Sequence, residues 1–254
     1  MSVFEEYARY YDLLYRDKDY RGEADYVHRL IQQHRPGAKS ILNLGCGSGR
    51  HDSYLAECGY KIVGIDISEK MLTAARKAAN SGDSPEYLLG DIRSFRSEQK
   101  FDAVIALFHV MSYQSRNEDL LAAFKTAHVQ LKQDGLFLFD CWYGPGVLTD
   151  RPEVRVKTLE DERLKVTRIA HPDMIASRNL VDVNYQIFIE DKENRNIKEI
   201  LETHRMRYLF EPEVRELLSQ AGFTITLSEE WLSAAALDFT SWNAVFVCKK
   251  DKNK

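Results

Sequence analysis

The sequence lacks the features that would place this protein in a membrane or on nucleic acid. No apolar run approaches the roughly 20 residues that a membrane-spanning helix needs, and the first residues have neither the basic nor the apolar region of a secretory signal. The net charge is only −4, and the basic residues are scattered. Because phosphate contacts need concentrated lysine and arginine, we expect neither nucleic acid nor a membrane as a partner.

Cysteine is also sparse and shows no pairing pattern. The four cysteines, Cys46, Cys58, Cys141 and Cys248, are far apart and include no C-x-x-C spacing. This predicts reduced thiols, a cytoplasmic location, and neither disulfides nor a metal site. No convincing cluster of metal ligands is found elsewhere in the sequence.

The most informative stretch is Ser40-Ile41-Leu42-Asn43-Leu44-Gly45-Cys46-Gly47-Ser48-Gly49-Arg50. A short apolar run predicts a strand buried on both faces, and three alternating glycines follow it. Glycine permits positive φ and leaves the backbone bare, so a ligand can lie against the peptide groups. The residues from Arg50 to Glu57 predict a helix, which completes a strand, loop and helix unit. Tight turns also use glycine for steric reasons alone, so this loop needs further support.

The second predicted strand supplies that support. It runs from Tyr60 to Asp66 and ends in a carboxylate roughly 20 residues after the glycine loop, where α/β nucleotide sites bind the ribose hydroxyls. A dinucleotide site requires G-x-G-x-x-G, whereas Arg50 follows Gly49 here. The pattern instead resembles motif I of the class I S-adenosylmethionine-dependent methyltransferases. Asn43 takes the place where that family often has an acid, and it can still accept a hydrogen bond from the cofactor's ammonium group.

Two later segments strengthen the resemblance. Gly90-Asp91-Ile92 resembles the family's adenine-binding segment, although Asp91 could also serve as a turn residue or helix cap, and Phe101-Asp102-Ala103-Val104 resembles its F-D-x-V motif. The resemblance implies S-adenosyl-L-methionine as cofactor. The cofactor-binding residues that we predict are Tyr20, Asn43, Gly45, Gly47, Gly49, His51, Asp66, Ile67, Met71, Asp91, Ile92 and Leu107.

The amino-terminal segment narrows the resemblance. Tyr7, Tyr11 and Tyr15 share one face of a predicted helix, which could pack in the core or cover a ligand. The string Y-D-x-x-Y followed by K-D-Y, which ends at Tyr20, is similar to the nucleotide-amino-sugar N-methyltransferases of the desosamine and mycaminose type. His51 follows the glycine loop as in a G-T-G-x-H pattern of those enzymes. One departure is Thr240-Ser241-Trp242-Asn243, where those enzymes carry G-R-G.

The same resemblance implies where the reaction occurs. His109 and Tyr113 follow the fourth predicted strand, where the family places the transferable methyl group, and either is a candidate catalytic group. Histidine has an unperturbed pKa near neutrality, which suits proton removal from an amine or hydroxyl. His109 could equally be structural. A small-molecule methyl acceptor is expected, and the candidate substrate-binding residues are Trp142, Tyr143, Arg168, His171 and His204.

Five strand and helix units in alternation predict an α/β fold with a Rossmann-like seven-stranded sheet. Alternating polar and apolar residues late in the chain predict an inserted antiparallel β subdomain. The predicted divisions are 1–141 for the lid helices and cofactor-binding core, 142–209 for the inserted sheet, and 210–254 for the last helix and strands of the core. Exposed edges of that sheet could pair into a homodimer.

Two alternatives remain open at this point. A non-catalytic S-adenosylmethionine-binding protein would share every cofactor motif. An NAD-dependent oxidoreductase would share the glycine strand and Asp66. However, the last glycine of the G-x-G-x-x-G pattern is replaced by Arg50, and a convincing Y-x-x-x-K dyad is missing.

Overall fold

A computed structural model describes residues 13–79 and 85–251 of the chain. Tyr7 and Tyr11 of the predicted amino-terminal helix, and residues 80–84 of the predicted loop, lie outside the described residues. The chain divides into two compact units. The larger unit consists of Asp19–Asp150 and Tyr208–Lys254, and the smaller contains Arg151–Arg207 together with residues 13–18.

The larger unit is built around a seven-stranded sheet flanked by helices. Its elements in chain order are α1 (Tyr20–His34), β1 (Ser40–Leu44), α2 (Arg50–Glu57), β2 (Lys61–Asp66), α3 (Glu69–Ala78), β3 (Glu86–Leu89), β4 (Phe101–Ala106), a 3₁₀ helix (Val110–Tyr113), α4 (Asn117–Gln130), β5 (Leu131–Trp142), α5 (Gly144–Thr149), α6 (Glu211–Gln220), β10 (Phe223–Glu230) and β11 (Asn243–Lys250). The strand order is β10-β11-β5-β4-β1-β2-β3.

Strands β1 to β5 are parallel, and β10 at one edge runs in the same direction. Only β11, which pairs antiparallel with both β5 and β10, runs in the opposite direction. Every residue of β1 and of β4 is buried, because helices cover both faces of the sheet. Among the described residues, the two largest apolar clusters of this unit contain Leu42 and Phe139 in one and Ile41 and Leu138 in the other. This architecture confirms the predicted fold class, and it brings the carboxyl ends of β1, β2, β4 and β5 to one edge of the sheet.

Two boundaries differ from those that the sequence predicts. The predicted start of the helix before the glycine strand is Ala24, and the predicted start of the fifth strand is Leu136, after a turn at Asp134 and Gly135. Helix α1 begins at Tyr20, where Asp19 caps it by accepting from the backbone N–H of Gly22. Strand β5 begins at Leu131, because the predicted turn at Asp134 and Gly135 is an irregularity within the strand. Asp134 adopts a φ of 58° there, a left-handed conformation that aspartate tolerates.

The smaller unit is an antiparallel sheet in the order β6-β7-β8-β9. Its strands are β6 (Arg155–Glu160), β7 (Leu164–Ile175), β8 (Leu180–Asp191) and β9 (Asn196–Arg207). One face carries an apolar cluster that includes Leu14, Val166 and Ile189, whereas the opposite face exposes Val156 and Leu201. No helix in the part of the chain that the structure describes is both long and apolar enough to cross a membrane.

Candidate functional site

The glycine loop after β1 turns sharply, and all three glycines have positive φ: 78° at Gly45, 56° at Gly47 and 71° at Gly49. A Cβ atom at Gly45 would lie 2.7 Å from Cγ2 of Val110, and a Cβ atom at Gly49 would lie 2.1 Å from the hydroxyl oxygen of Tyr87. A side chain at Gly47 would meet nothing within 4 Å. Gly45 and Gly49 therefore permit close packing within the protein, while the bare backbone of Gly47 faces open space.

Asp66 lies at the end of β2 and is bonded to this loop. Its Oδ2 accepts from the backbone N–H of Gly47 at 2.9 Å, and its Oδ1 accepts from the N–H of Ser68 at 2.8 Å. A carboxylate has about four lone-pair sites, so each oxygen can accept one more hydrogen bond. Ile67, which follows it, leaves 72% of its surface exposed, and Met71 is half-buried. The Ser68 side chain caps α3 by accepting from the N–H of Met71.

Helix α2 begins directly after the loop, and no described side chain caps it. The N-terminus of a helix favours an anionic ligand. His51, in its first turn, is buried, and its Nε2 lies 2.6 Å from Oε2 of Glu23. Tyr20 packs edge-to-face against the imidazole at 4.9 Å between ring centroids. The structure thus brings the predicted Tyr20 and His51 together, and it adds Glu23, a residue that the sequence did not single out.

Asn43 is buried behind the loop. Its Nδ2 donates to Oδ1 of the fully buried Asp52 at 2.7 Å. Within the described residues, the Oδ1 of Asn43 has no hydrogen-bond partner. A buried acceptor without a partner is costly, so this oxygen suits a donor that the protein itself does not supply.

Asp91, after β3, lies in a network with Arg93. Both carboxylate oxygens accept from the Arg93 guanidinium, and Arg93 also contacts Asp119 at 3.1 Å. The hydrogen bonds from Arg93 lower the pKa of Asp91 below its ordinary value. Asp91 thus remains an acceptor at neutral pH, but any ligand must share its oxygens with Arg93. Ile92, which follows Asp91, and Leu107, which follows β4, are both buried apolar residues.

The chain after β4 is strained. Phe108 and His109 have consecutive φ values of 66° and 65°, a region that side chains other than glycine seldom adopt. Nδ1 of His109 is buried and lies 2.7 Å from Oδ2 of Asp140 at the end of β5. Their alignment falls short of a hydrogen bond, yet two atoms bearing lone pairs approach this closely only with a proton between them. Val110 packs against Gly45, so this turn adjoins the glycine loop.

Aromatic side chains continue from His109 along the same edge of the sheet. The ring centroids of Trp142 and His109 are 6.4 Å apart, and those of Trp242 and Trp142 are 4.9 Å apart. The backbone N–H of Tyr143 donates to the carbonyl oxygen of Trp242, which joins the two segments. Burial raises the pKa of the Tyr143 hydroxyl. Tyr113 ends the 3₁₀ helix and is 46% exposed.

The remaining predicted residues belong to the smaller unit. Arg168 Nη1 donates to the hydroxyl of Tyr15 at 3.1 Å, and its guanidinium stacks on Tyr185 at 4.9 Å. His204 packs edge-to-face on the same Tyr185 ring. His171 is exposed on the opposite face of the sheet. Its neighbour Ala170 pairs with Tyr185 and shares the face of that residue, and successive residues of a strand point to opposite faces. The structure therefore groups Arg168 with His204 and separates both from His171.

The central part of the chain is similar to a known family. Residues 41–135 match the family described as "Methyltransferase domain". The dTDP-3-amino-3,6-dideoxy-alpha-D-glucopyranose N,N-dimethyltransferase of Streptomyces fradiae is 28% identical over 224 residues, which cover 87% of this chain and 84% of that protein.

Solved structures share the fold. An S-adenosylmethionine-dependent methyltransferase from Clostridium acetobutylicum superposes with a TM-score of 0.82 at 22% identity and covers 98% of this chain and 100% of its own. DesVI from Streptomyces venezuelae superposes with a TM-score of 0.80 at 25% identity, and the superposition covers 95% of this chain and 97% of DesVI.

The site residues fit S-adenosylmethionine by three observations. The backbone of Gly47 is bare and faces open space. The Oδ1 of Asn43 is a buried acceptor that lacks a partner in the described part of the chain, and it suits the ammonium group of the cofactor. Asp66 keeps acceptor capacity for ribose hydroxyls beyond its two backbone bonds.

Proposed function

We propose that this chain, which is an S-adenosylmethionine-dependent methyltransferase, methylates the amino nitrogen of a nucleotide-linked amino sugar. The observation that carries the acceptor class is the alignment with the amino-sugar N,N-dimethyltransferase of Streptomyces fradiae, which extends over most of both chains. The arrangement of His109 and Trp142 at the carboxyl ends of β4 and β5, with Trp242 packed against Trp142, supports it.

In this proposal, the glycine loop, Asn43, Asp66 and the start of α2 hold the cofactor. The other residues that would hold it are Tyr20, His51, Ile67, Met71, Asp91, Ile92 and Leu107. Bound S-adenosylmethionine supplies a methyl group already activated by the positive charge on its sulfur. The protein therefore has to align a nucleophile and remove a proton.

An amine attacks only with a free lone pair, so a base has to take the proton of its ammonium form. His109 is the proposed base, because it adjoins the glycine loop through Val110 and belongs to the residue type suited to proton transfer near neutral pH. Tyr113, on the same 3₁₀ turn, is the second candidate. Trp142 and Tyr143 would contact the acceptor, since aromatic faces also attract the positive charge of the sulfonium and of the methylated amine.

Arg168 and His204 of the smaller unit would contact the anionic nucleotide diphosphate. Arginine suits this role because its planar guanidinium can bind two phosphate oxygens. Stacking on Tyr185 already orients the Arg168 guanidinium, which lowers the entropic cost of binding. His171 lies on the opposite face of its sheet and is the weakest of the three candidates.

The test is methyl transfer by the purified chain, with dTDP-3-amino-3,6-dideoxyglucose as acceptor and mass spectrometry as the readout. We expect products that carry one and two added methyl groups. The matched control is dTDP-6-deoxyglucose, which lacks the amine and should remain unchanged. If the chain binds S-adenosylmethionine but methylates the hydroxyl compound equally well, or neither compound, the proposed acceptor class is wrong.

We also propose a homodimer and a cytoplasmic location. The dimer is supported by apolar side chains on the exposed face of the smaller sheet, namely Val156, Ile169 and Leu201. They form one row across the four strands, in which Gln186 stands between Ile169 and Leu201. Light scattering should give twice the chain mass, and Leu201→Lys should give the monomer. The free thiols of all four cysteines support the location.

A further inference from the structure

His109 and the buried Asp140 are paired at the carboxyl ends of the neighbouring strands β4 and β5. Asp140 is 1% exposed, and the backbone N–H of His109 donates to its two oxygens at 3.1 and 3.3 Å. The Nδ1 of the same histidine lies 2.7 Å from Oδ2. Among the described residues, the Asp140 side chain has no other hydrogen-bond or ion-pair partner. A carboxylate this deeply buried requires a partner, and His109 is the residue that supplies it.

The strained backbone also serves this pair. Phe108 and His109 both adopt left-handed φ values, and this turn directs the His109 N–H at Asp140. Such strain persists only where the surroundings enforce it, and it concentrates at functional sites. A buried carboxylate that holds both the backbone and the ring of one residue fixes the orientation of that ring.

The ring can expose one nitrogen only. Nδ1 is buried against Asp140, while the histidine side chain as a whole is 19% exposed. The exposed edge is therefore the one that carries Nε2, and no described residue bonds to that atom. A proton held on Nδ1 by Asp140 leaves the lone pair of neutral imidazole on Nε2.

We propose that Asp140 is a positioning residue, which keeps the Nδ1–H tautomer of His109 so that Nε2 accepts a proton from the methyl acceptor. The role in catalysis rests on the proposed function. The ammonium form of the acceptor gives one proton to Nε2, and the freed lone pair forms the new N–C bond as the S–C bond breaks. The imidazolium that results is stabilised by the adjacent carboxylate of Asp140, and it returns the proton to solvent before the next turnover.

The discriminating variant is Asp140→Asn. The oxygen of the substituted amide can still accept from the backbone N–H of His109, but its NH₂ group donates to Nδ1 and so shifts the ring proton to Nε2. We expect kcat to fall by about 100-fold or more, in the range that general bases contribute, with the S-adenosylmethionine Kd and the acceptor KM close to wild type. Retention of wild-type kcat would overturn the proposal.

The matched control is Asp102→Asn. Asp102 is also a buried carboxylate, but it lies near the amino end of β4, away from His109, and it bonds to Ser40 and Lys132. We expect this variant to unfold at a lower temperature while its kcat at low temperature stays near wild type. Equal loss of kcat in both variants would mean that Asp140 acts only through stability.

A second measurement needs neither turnover nor a stable variant of Asp140. Nitrogen NMR of histidine-labelled wild-type protein distinguishes the two neutral tautomers, and His109→Gln identifies the His109 signal among the seven histidines. We expect the proton on Nδ1 at a pH where the ring is neutral, and a proton on Nε2 would overturn the inference. Failure of amine methylation with an Nδ1–H histidine would instead refute the proposed acceptor and leave the His109–Asp140 assignment intact.

Discussion

Asn43 and Asp52 form a hydrogen bond directly behind the glycine loop, with Nδ2 of Asn43 2.7 Å from Oδ1 of Asp52. Complete burial raises the pKa of Asp52 to about 7, and the bond from Asn43 opposes this shift only in part. The loop that is proposed to hold the cofactor therefore rests on a carboxyl group that changes protonation near neutral pH.

This pair predicts how stability depends on pH. A carboxyl pKa raised in the folded state means that the folded chain binds a proton more tightly than the unfolded chain. The contribution of Asp52 should thus be constant below about pH 4 and should fall as the pH rises from about 4 to about 7, by up to about 4 kcal/mol. Asp52→Asn cannot ionise and should lose this dependence. Urea denaturation of both proteins at pH 5 and pH 8 measures it, and an identical pH response in the two would contradict the prediction.

The glycines of the loop should differ in what they tolerate. Gly47→Ala adds a methyl group in open space, so the protein should fold but bind S-adenosylmethionine roughly tenfold more weakly, because the ligand approaches this backbone closely. Gly49→Ala would place the methyl group against Tyr87 and should prevent stable folding. Calorimetric titration and thermal unfolding separate the two effects.

Gly37→Ala is the matched control for backbone strain. Gly37 has a φ of 78° and open space around its Cβ position, but it precedes β1 and lies outside the loop. This variant should lose about 1–2 kcal/mol of stability and keep its cofactor affinity. A loss of affinity as large as that of Gly47→Ala would mean that strain, and not ligand contact, explains the result at Gly47.

Asp66 should be required for cofactor binding. Asp66→Ala removes the acceptor for the Gly47 N–H and the acceptor proposed for the ribose, and charge-assisted hydrogen bonds of this kind together predict a loss of about 100-fold or more in affinity. Titration with S-adenosylhomocysteine measures this loss without turnover. Tight binding by a folded Asp66→Ala protein would rule out the ribose role.

Arg168 should affect the acceptor and not the cofactor. Arg168→Met keeps an apolar chain against Tyr185 but loses the charge proposed to bind phosphate, so the acceptor KM should rise about tenfold or more. Arg205→Met is the control, since Arg205 pairs with Asp182 on the opposite face of the same sheet. Steady-state kinetics with the nucleotide-linked acceptor compares them. An equal rise in both variants, or a parallel loss of cofactor affinity, would assign Arg168 a structural role.

Much of the fold could be predicted from local patterns. The apolar run before Gly45 and the carboxylate at Asp66 are each specified by a few neighbouring residues. The structure confirms the run as strand β1 and places Asp66 at the end of β2. The predicted start of β5 was wrong because a turn sequence and a strand irregularity use the same residues, Asp134 and Gly135. A local pattern cannot separate these two outcomes.

The sequence by itself determined the class of fold and the cofactor loop, because buried strands and glycine turns leave periodic and compositional signals along the chain. Only the tertiary structure decided which side chains face each other. Glu23 meets His51 across 28 positions, Asp140 meets His109 across 31, and Tyr185 lies against Arg168 on a neighbouring strand. These pairings depend on strand order and register, which bring distant residues to one edge or one face of a sheet, and no single segment of the chain encodes them.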